Sequence, residues 1–382
     1  MRQGFKVIDT DTHVGPTADV LYSYASKAFW NRRDEMRQYE TEIRDGLGLS
    51  IGPYPYKREM GLKAGEESVE RGGAPTLKGK VVSLLVDEPE DGVQVKNSEG
   101  RLRDMDREGR DIDLIIPGTF SNAITAIDSE LAIELYAAYN RYIVDYCSID
   151  PDRLKATLLV PGFAPDFSAS EIARYSSERC VAAVSVPLPE GMSIDDSDLY
   201  PVWASMGDAD LPLLHHSFFY EPPYFPGYRD VWGHIAVARA AAHVWGAQRL
   251  LSYVILSGLL DRFPRFRIGF SECSSGWLPP WLNRLQSQAE YLSGTLPTLK
   301  KTPIEYAQDD RIFIGVELAE GETILQGIIH TMGDGAIMFS SDYPHTQSFF
   351  PTSADTVLSW DIPDSSKRRL MSENAERFLR LS

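Results

Sequence analysis

The apolar positions of this chain fall into short runs that are separated by longer amphipathic segments. Runs of this length predict strands, at residues 5–9, 112–117, 155–161, 181–187, 211–216, 266–272, 312–317 and 336–340. Several runs are continuously apolar, which is typical of parallel strands that are covered on both faces. Helical spacing of apolar residues predicts helices at 129–149, 167–178, 198–207, 233–262, 277–293, 322–331, 353–359 and 364–380.

The order of these elements predicts the fold class. A helical segment follows each of the last seven of eight predicted strands, so we expect an α/β chain folded as a (β/α)8 TIM barrel. An open doubly wound sheet is the alternative. That fold prefers a glycine-rich turn after the first strand, and the segment Asp9-Thr-Asp-Thr-His13 has none. In a barrel, we expect the active site at the C-terminal ends of the strands.

Residues 14–110 form a long, polar and irregular stretch after the first strand. We interpret residues 1–382 as a single barrel domain in which this stretch is an inserted lid or subdomain, with helical patterns near 18–45. Tyr54 and Arg58 within it combine an aromatic ring with a cation. Such a pair suits a planar acid, which makes both residues candidates for substrate binding, and a solvated loop is the alternative.

The amino-acid composition and net charge of the chain limit the kinds of molecule that it could bind. The chain has 382 residues, of which 43% are hydrophobic and 24% charged, and a net charge of −17 that repels nucleic acid. No apolar run approaches the ~18 residues of a membrane span. The cysteines are three scattered residues, and no signal peptide is evident, so we expect a reduced cytoplasmic protein that acts on a small molecule.

Polar residues that could bind a metal stand at the ends of several predicted strands. They are Asp11 and His13 on the first strand, His215 and His216 on the fifth, Glu272 on the sixth, Glu317 on the seventh and Asp342 on the eighth. If the barrel closes, these residues face one another. Histidines and carboxylates on one rim have the composition of a divalent metal site.

Strand alternation supports this interpretation for the first strand. Asp9, Asp11 and His13 are predicted to lie on one face, so that Asp11 and His13 can reach one ion. His216 would close the site from across the barrel, and Asp342 would bind the metal or its water. Ordinary alternatives exist: Asp342 could cap a helix or turn, and the two adjacent histidines could lie in a turn.

Longer motifs resemble a known family. The segments 256–264, 267–272 and 276–279, together with 341–345 and 369–378, are similar to the amidohydrolase superfamily, specifically its amidohydrolase-related branch. That branch includes aminocarboxymuconate-semialdehyde decarboxylase and the metal-dependent aromatic acid decarboxylases. The resemblance covers nearly the whole chain and is densest after residue 101.

The resemblance implies one divalent metal ion, usually zinc or manganese, and a homodimer. By matching position it assigns the metal to Asp11, His13, His216 and Asp342. The fifth-strand ligand follows a proline by four residues, and counting from Pro212 selects His216 over His215. The first-strand pair is Asp-x-His where many members have His-x-His. An added anionic oxygen makes manganese or iron as suitable as zinc.

Glu272 occupies the position at which the characterised decarboxylases of the branch carry a catalytic histidine. We therefore keep two functions: a metal-dependent decarboxylase of a small aromatic or cyclic carboxylic acid, and a metal-dependent hydrolase of an amide, lactone or related bond. Asp342 or Glu272 would move the proton in either reaction. A third hypothesis is that the barrel is a scaffold without enzymatic activity.

Four further residues are candidates for contacts with the substrate or with a ligand: His215, His243, His345 and Glu317. His243 lies in a helical pattern, where a packed histidine is the alternative. Glu317 could hold the ring nitrogen of a ligand histidine.

Overall fold

The structure is a computed structural model. It describes residues 1–43, 46–49, 97–118, 127–189, 191–216, 235–345 and 348–381, with residue 124 and the short strands Glu70–Arg71, Ala74–Leu77 and Lys80–Val81.

Eight parallel strands form a nearly closed barrel, as the sequence predicts. They are β1 (Ile8–Val14), β2 (Ile112–Pro117), β3 (Leu154–Leu159), β4 (Val181–Ser185), β5 (Leu213–His216), β6 (Ile268–Ser271), β7 (Ile312–Glu317) and β8 (Ile337–Ser340). Each strand pairs in parallel with the next one along the chain, in the order β1 to β8. Helices lie between the strands, so the chain is a (β/α)8 TIM barrel.

The ends of the barrel strands differ from the prediction most clearly at β1. This strand was expected at residues 5–9, but it runs from Ile8 to Val14 and includes the whole polar segment. All seven of its residues are buried. A polar run suggests the end of a strand, but Asp9, Thr10 and Thr12 form hydrogen bonds with distant parts of the chain, and the strand continues through them.

The longer helices match the predicted ones to within a few residues, except Ser98–Glu108, which lies in the stretch that was expected to be irregular. The longer ones are Ser98–Glu108, Ser129–Cys147, Pro165–Tyr175, Tyr200–Asp208, Ile235–Leu256, Leu278–Tyr291 and Gly321–Met332. Shorter helices are Ala18–Ser23, Lys27–Asn31, Leu259–Arg262, Pro303–Gln308, Ser353–Leu358, Asp364–Arg368 and Asn374–Leu379, with a π-helical turn at Arg369–Glu373 and 3₁₀ turns at Arg33–Tyr39, Ser197–Leu199, Ser293–Thr295 and Leu318–Glu320.

Two predicted helices are interrupted. The pattern over 233–262 divides at Gly258, whose φ of +75° suits glycine and starts a new short helix. The pattern over 364–380 divides at the π-helical turn.

The described start of the predicted insertion packs on the barrel. Residues 18–39 form short helical turns, and Glu40–Ile43 pairs antiparallel with Gly46–Leu49 where helix was expected. The Tyr24 ring lies edge-on to Tyr142 of the helix after β2, at 5.6 Å between centroids. The idea of a lid or subdomain remains a prediction, because most of residues 50–96 lie outside the described residues.

The barrel interior is filled by apolar side chains from the inward faces of the strands. Leu114, Leu214, Phe313 and Met338 share one buried cluster with Phe378 of the last helix. The Phe378 ring would lie 2.5 Å from a Cβ atom added at Gly269 of β6. The C-terminal helix therefore closes the end of the barrel opposite the predicted site.

Within the part of the chain that the structure describes, we find no helix with both the length and the apolar character needed to cross a bilayer. The three cysteines are all buried and form no disulfide.

Candidate metal centre

The local geometry of β1 directs Asp11 and His13 into the barrel mouth. Asp9 pairs with Asp113 of β2, but Thr12 pairs with Ile115, so β1 holds one extra residue in a bulge between them. Asp11 is 1% exposed and His13 is 4% exposed. Asp11 and His13 converge as predicted, whereas Asp9 was expected on the same face and instead joins a separate hydrogen-bond network.

The two histidines of β5 point to opposite sides of the strand. His216 shares a face with Leu214, which belongs to the interior cluster. His215 shares a face with Leu213 and contacts the Phe270 ring at 5.7 Å between centroids, on the side of the surrounding helices. Burial lowers the pKa of His215 to about 3. The structure therefore brings His216 to the centre and leaves His215 outside it.

Asp342 follows β8 and has a left-handed φ of +64°. Its amide donates to the Asp11 carbonyl at 2.9 Å. A residue with a side chain adopts this conformation at a cost, and such strain is typical of functional sites. Asp342 accordingly lies beside Asp11, and the next α-helix that the structure describes begins only at Ser353.

Ligand atoms from these four residues lie close together. His13 Nε2 is 3.3 Å from Asp11 Oδ1 and 3.1 Å from Asp342 Oδ1. His216 Nε2 is 3.9 Å from Asp11 Oδ1. Ligand atoms of Asp11, His13 and His216 all lie within 4.8 Å of one another, and so do those of His13, Asp342 and His345. These are spacings that one shared cation can bridge.

The arrangement fits a divalent ion better than a hydrogen-bond network. Asp11 Oδ1 and His13 Nε2 are buried, and neither has hydrogen-bond geometry to any described residue despite the short separations. Buried polar atoms normally have hydrogen-bond geometry, so two that converge without it fit ligands of one shared cation. Imidazole nitrogens with carboxylate oxygens suit zinc, manganese or iron.

The charged groups of the site shift one another's pKa values. Burial opposes a proton on His13, but the Asp11 and Asp342 carboxylates outweigh it and raise the His13 pKa to about 10. In the chain without a metal, His13 therefore carries a proton that a cation would displace. Burial and Glu272 favour the neutral form of Asp342, yet His345 and His13 lower its pKa.

Glu272 lies next to the proposed ligands, one residue after β6. Its Oε2 is 3.0 Å from His216 Nε2 and its Oε1 is 3.8 Å from His243 Nδ1. Burial opposes ionisation of Glu272, but His243 and His216 hold its pKa well below the usual range. A carboxylate so placed can accept a proton from a group bound at the centre.

The loop that carries Glu272 is strained and tightly held. Glu272 and Ser274 have φ values of +48° and +56°. Glu317 accepts the Ser274 amide at 2.6 Å, and Glu320 accepts the Ser275 amide at 2.7 Å. These bonds offset the backbone strain. Glu317 was expected to hold a ligand's ring nitrogen, and its described hydrogen bond goes to this loop instead.

His243 and His345 both reach the centre from outside the strands. His243 Nδ1 lies 2.8 Å from the Glu272 carbonyl oxygen, so Nδ1 carries the hydrogen. His345 Nδ1 lies 2.5 Å from Asp342 Oδ1, and its ring is 4.7 Å from the His13 ring. Tyr54 and Arg58 lie outside the described residues.

Sequence reasoning missed three residues that support the site: Asp9, Glu320 and Ser341. Asp9 was noticed as part of the alternating segment but received no role. A Glu-x-x-Glu spacing, Glu317 and Glu320, directly after the seventh strand was an available signal for the held loop.

Comparison with known proteins identifies related chains. The amidohydrolase family model matches residues 85–381. A search of curated protein sequences found no match. Among solved structures, 5-carboxyvanillate decarboxylase from Sphingomonas paucimobilis has a TM-score of 0.68 and 21% identity, over 99% of this chain and 100% of that chain.

Two further structures are similar across their length. The 5-carboxyvanillate decarboxylase from Novosphingobium aromaticivorans DSM 12444, complexed with manganese and 4-hydroxy-3-methoxy-5-nitrobenzoic acid, has a TM-score of 0.67 and 19% identity, over 100% of this chain and 97% of that chain. An amidohydrolase from Mycobacterium avium subsp. paratuberculosis K-10 has a TM-score of 0.73 and 19% identity, over 98% of this chain and 99% of that chain.

Proposed function

The chain belongs to the amidohydrolase family, and on that premise we propose that it is a metal-dependent decarboxylase of a small aromatic or cyclic carboxylic acid. The observation that carries the proposal is the convergence of Asp11, His13 and His216, with Asp342 beside them, at the C-terminal mouth of the barrel. Support also comes from the manganese and the nitrobenzoic acid held by a decarboxylase of the same fold.

In this proposal, Asp11, His13, His216 and Asp342 hold one divalent ion, either manganese, zinc or iron. The ion would supply a Lewis acid that orients the substrate carboxylate and stabilises charge that develops during reaction. The neighbouring side chains would exclude water from the reacting carbon, because the ligands are almost fully buried.

The proton transfers fall to residues of this chain. Decarboxylation replaces the carbon–carbon bond to the carboxylate by a carbon–hydrogen bond, so one proton must reach the ring carbon. Asp342 and Glu272 are both held ionised in the metal-free chain, and either must first gain a proton to act as the acid. The proton comes ultimately from solvent, and His243, whose Nδ1 lies 3.8 Å from Glu272 Oε1, would pass it to Glu272 when the imidazole is doubly protonated.

A second function is favoured by one observation. An ionised Glu272, 3.0 Å from His216 Nε2, is well placed to act as a general base toward an attacking water. This placement supports a hydrolase of an amide, lactone or related bond.

A cytoplasmic location and a homodimer remain further predictions.

The test combines metal analysis with product analysis. Purified wild-type protein is expected to hold close to one equivalent of manganese, zinc or iron. His216→Ala should lose it, and His215→Ala should keep it, because the adjacent side chain points away from the centre. A wild-type chain that takes up no metal after reconstitution would end the proposal.

A panel of hydroxybenzoates then separates the two reactions. Release of carbon dioxide, lost in Asp342→Asn and Glu272→Gln, supports the decarboxylase. Turnover of amides or lactones without carbon dioxide release supports the hydrolase.

A further inference from the structure

The strands that carry two of the proposed ligands meet at a seam. Strands β1 and β8 stand at opposite ends of the strand order, and an isolated bridge between Thr12 and Tyr343 joins them in place of a continuous ladder. Asp11 lies on one side of this seam and Asp342 on the other. Two backbone hydrogen bonds cross the seam here, from the Asp342 amide to the Asp11 carbonyl at 2.9 Å and from the His13 amide to the Tyr343 carbonyl at 2.7 Å. With so few bonds in place of a ladder, side-chain contacts between β1 and β8 also bear on the separation of the Asp11 and Asp342 side chains.

One side chain crosses the seam directly below the ligands. Asp9 Oδ1 accepts the Asp11 amide at 3.2 Å and the Ser341 amide at 3.0 Å. Asp9 Oδ2 accepts the Ser341 hydroxyl at 2.5 Å. The Asp11 amide belongs to a proposed ligand, and the Ser341 amide belongs to the residue before the proposed ligand Asp342. A single carboxylate therefore holds the backbone beside both ligands.

The Asp9 carboxylate is itself held in place. Arg110 Nη1 lies 3.0 Å from Asp9 Oδ2, and both side chains are fully buried. The Arg110 guanidinium stacks on the Tyr343 ring at 4.4 Å from its centroid. Ser341 Oγ also accepts the Tyr343 amide at 3.1 Å. With its partners on every side, Asp9 has little freedom to adjust.

We propose that Asp9 is a positioning residue for the metal centre: its carboxylate supplements the few backbone hydrogen bonds between β1 and β8 and so helps to set the separation of the Asp11 and Asp342 side chains. The inference rests on the proposed metal site. Residues that hold metal ligands in place by hydrogen bonds typically weaken metal binding by about 10- to 100-fold when they are substituted.

Three variants test this role. Asp9→Asn keeps the size of the side chain but replaces one acceptor oxygen by a donor. Ser341→Ala removes one bond across the seam and leaves the Arg110 pair intact. Asp113→Asn is the matched control, because Asp113 is also fully buried and paired with Arg110, at 3.5 Å, and with Arg101, at 3.2 Å, while none of its described contacts crosses the seam.

The measurement is the Mn²⁺ dissociation constant of the full chain, by chelator competition, with the electron paramagnetic resonance spectrum of the bound ion. Circular dichroism first confirms that each variant is folded at the working temperature. We expect Asp9→Asn to weaken binding about 10- to 100-fold and to alter the spectrum. Ser341→Ala should weaken it less, and Asp113→Asn should resemble the wild type.

Two results would overturn the inference. One is a wild-type Mn²⁺ affinity in Asp9→Asn. The other is an equal loss of Mn²⁺ affinity in Asp113→Asn, which would show that disrupting any of these buried ion pairs has the same effect. If Asp9→Asn does not fold, Ser341→Ala takes its place as the test, and a wild-type Mn²⁺ affinity in that variant would count against the positioning role of Asp9. A wild-type chain that binds no Mn²⁺ would instead refute the proposed function, and this inference with it.

Discussion

Glu317 offers a test of the site's electrostatics that does not require a known substrate. Its carboxylate ends β7 and accepts the Ser274 amide. Burial raises the Glu317 pKa, the Ser274 bond opposes the rise, and the negative charge of Glu272 adds to it, with a result of about 7 against a reference of 4.5. The folded chain therefore binds this proton more tightly than the unfolded chain does.

The sign and size of the effect follow from linkage. Between pH 4.5 and 7 the native state keeps a proton that the unfolded state has lost, so this contribution to stability is fully present below pH 4.5 and is lost as the pH rises through 7. At 1.36 kcal/mol per pKa unit, the contribution is about 3 kcal/mol. Glu317→Gln cannot ionise, yet its amide oxygen can still accept the Ser274 hydrogen.

The assay is urea unfolding of the metal-free wild type and of Glu317→Gln at several pH values from 4 to 8. Relative to the wild type, the variant should gain about 3 kcal/mol across this range. Glu290→Gln, at an exposed helix position, controls for the loss of one carboxylate. Unfolding curves whose separation does not change with pH would refute the reasoning.

Other predictions concern packing, helix capping and metal binding. Gly269→Ala places a methyl group 2.5 Å from the Phe378 ring and should destabilise the chain by about 1–3 kcal/mol in denaturant unfolding, whereas Gly294→Ala meets no atom within 4 Å and should change little. Thr302→Ala removes the capping box with Glu305 and should cost about 1 kcal/mol; an unchanged midpoint would contradict the cap. Mn²⁺ at about 100 times its dissociation constant should stabilise the wild type by about 2.7 kcal/mol, seen as a rise in melting temperature that His216→Ala lacks.

The sequence predicted the barrel because its strands and helices follow from local periodicity, whereas the candidate ligands came from their rim positions and from the family resemblance. On β5, the resemblance selected His216 by counting from Pro212, and the structure places His216 on the same face as Leu214. On β1, strand alternation correctly grouped Asp11 with His13 but also grouped Asp9 with them. A bulge changes the register there, and its position depends on pairing with β2, which local periodicity does not contain.

The residues that support the centre were harder to predict because their partners are distant in sequence. Glu317 contacts Ser274, 43 residues earlier, and Glu320 contacts Ser275, 45 residues earlier. The Glu-x-x-Glu spacing after the seventh strand draws attention to both carboxylates, but it does not identify these distant partners. The helix Pro303–Gln308 was also missed, although Thr302 and Glu305 have the capping-box spacing that marks such a start.

The seam between β1 and β8 also has a consequence for the order of folding. Asp9 and Ser341 are 332 positions apart, so closing that loop costs about 5 kcal/mol of chain entropy before any contact across it forms. During synthesis, the proposed ligands of β1 leave the ribosome long before Asp342 is made. The proposed four-residue metal centre can therefore be complete only after the last strand has docked.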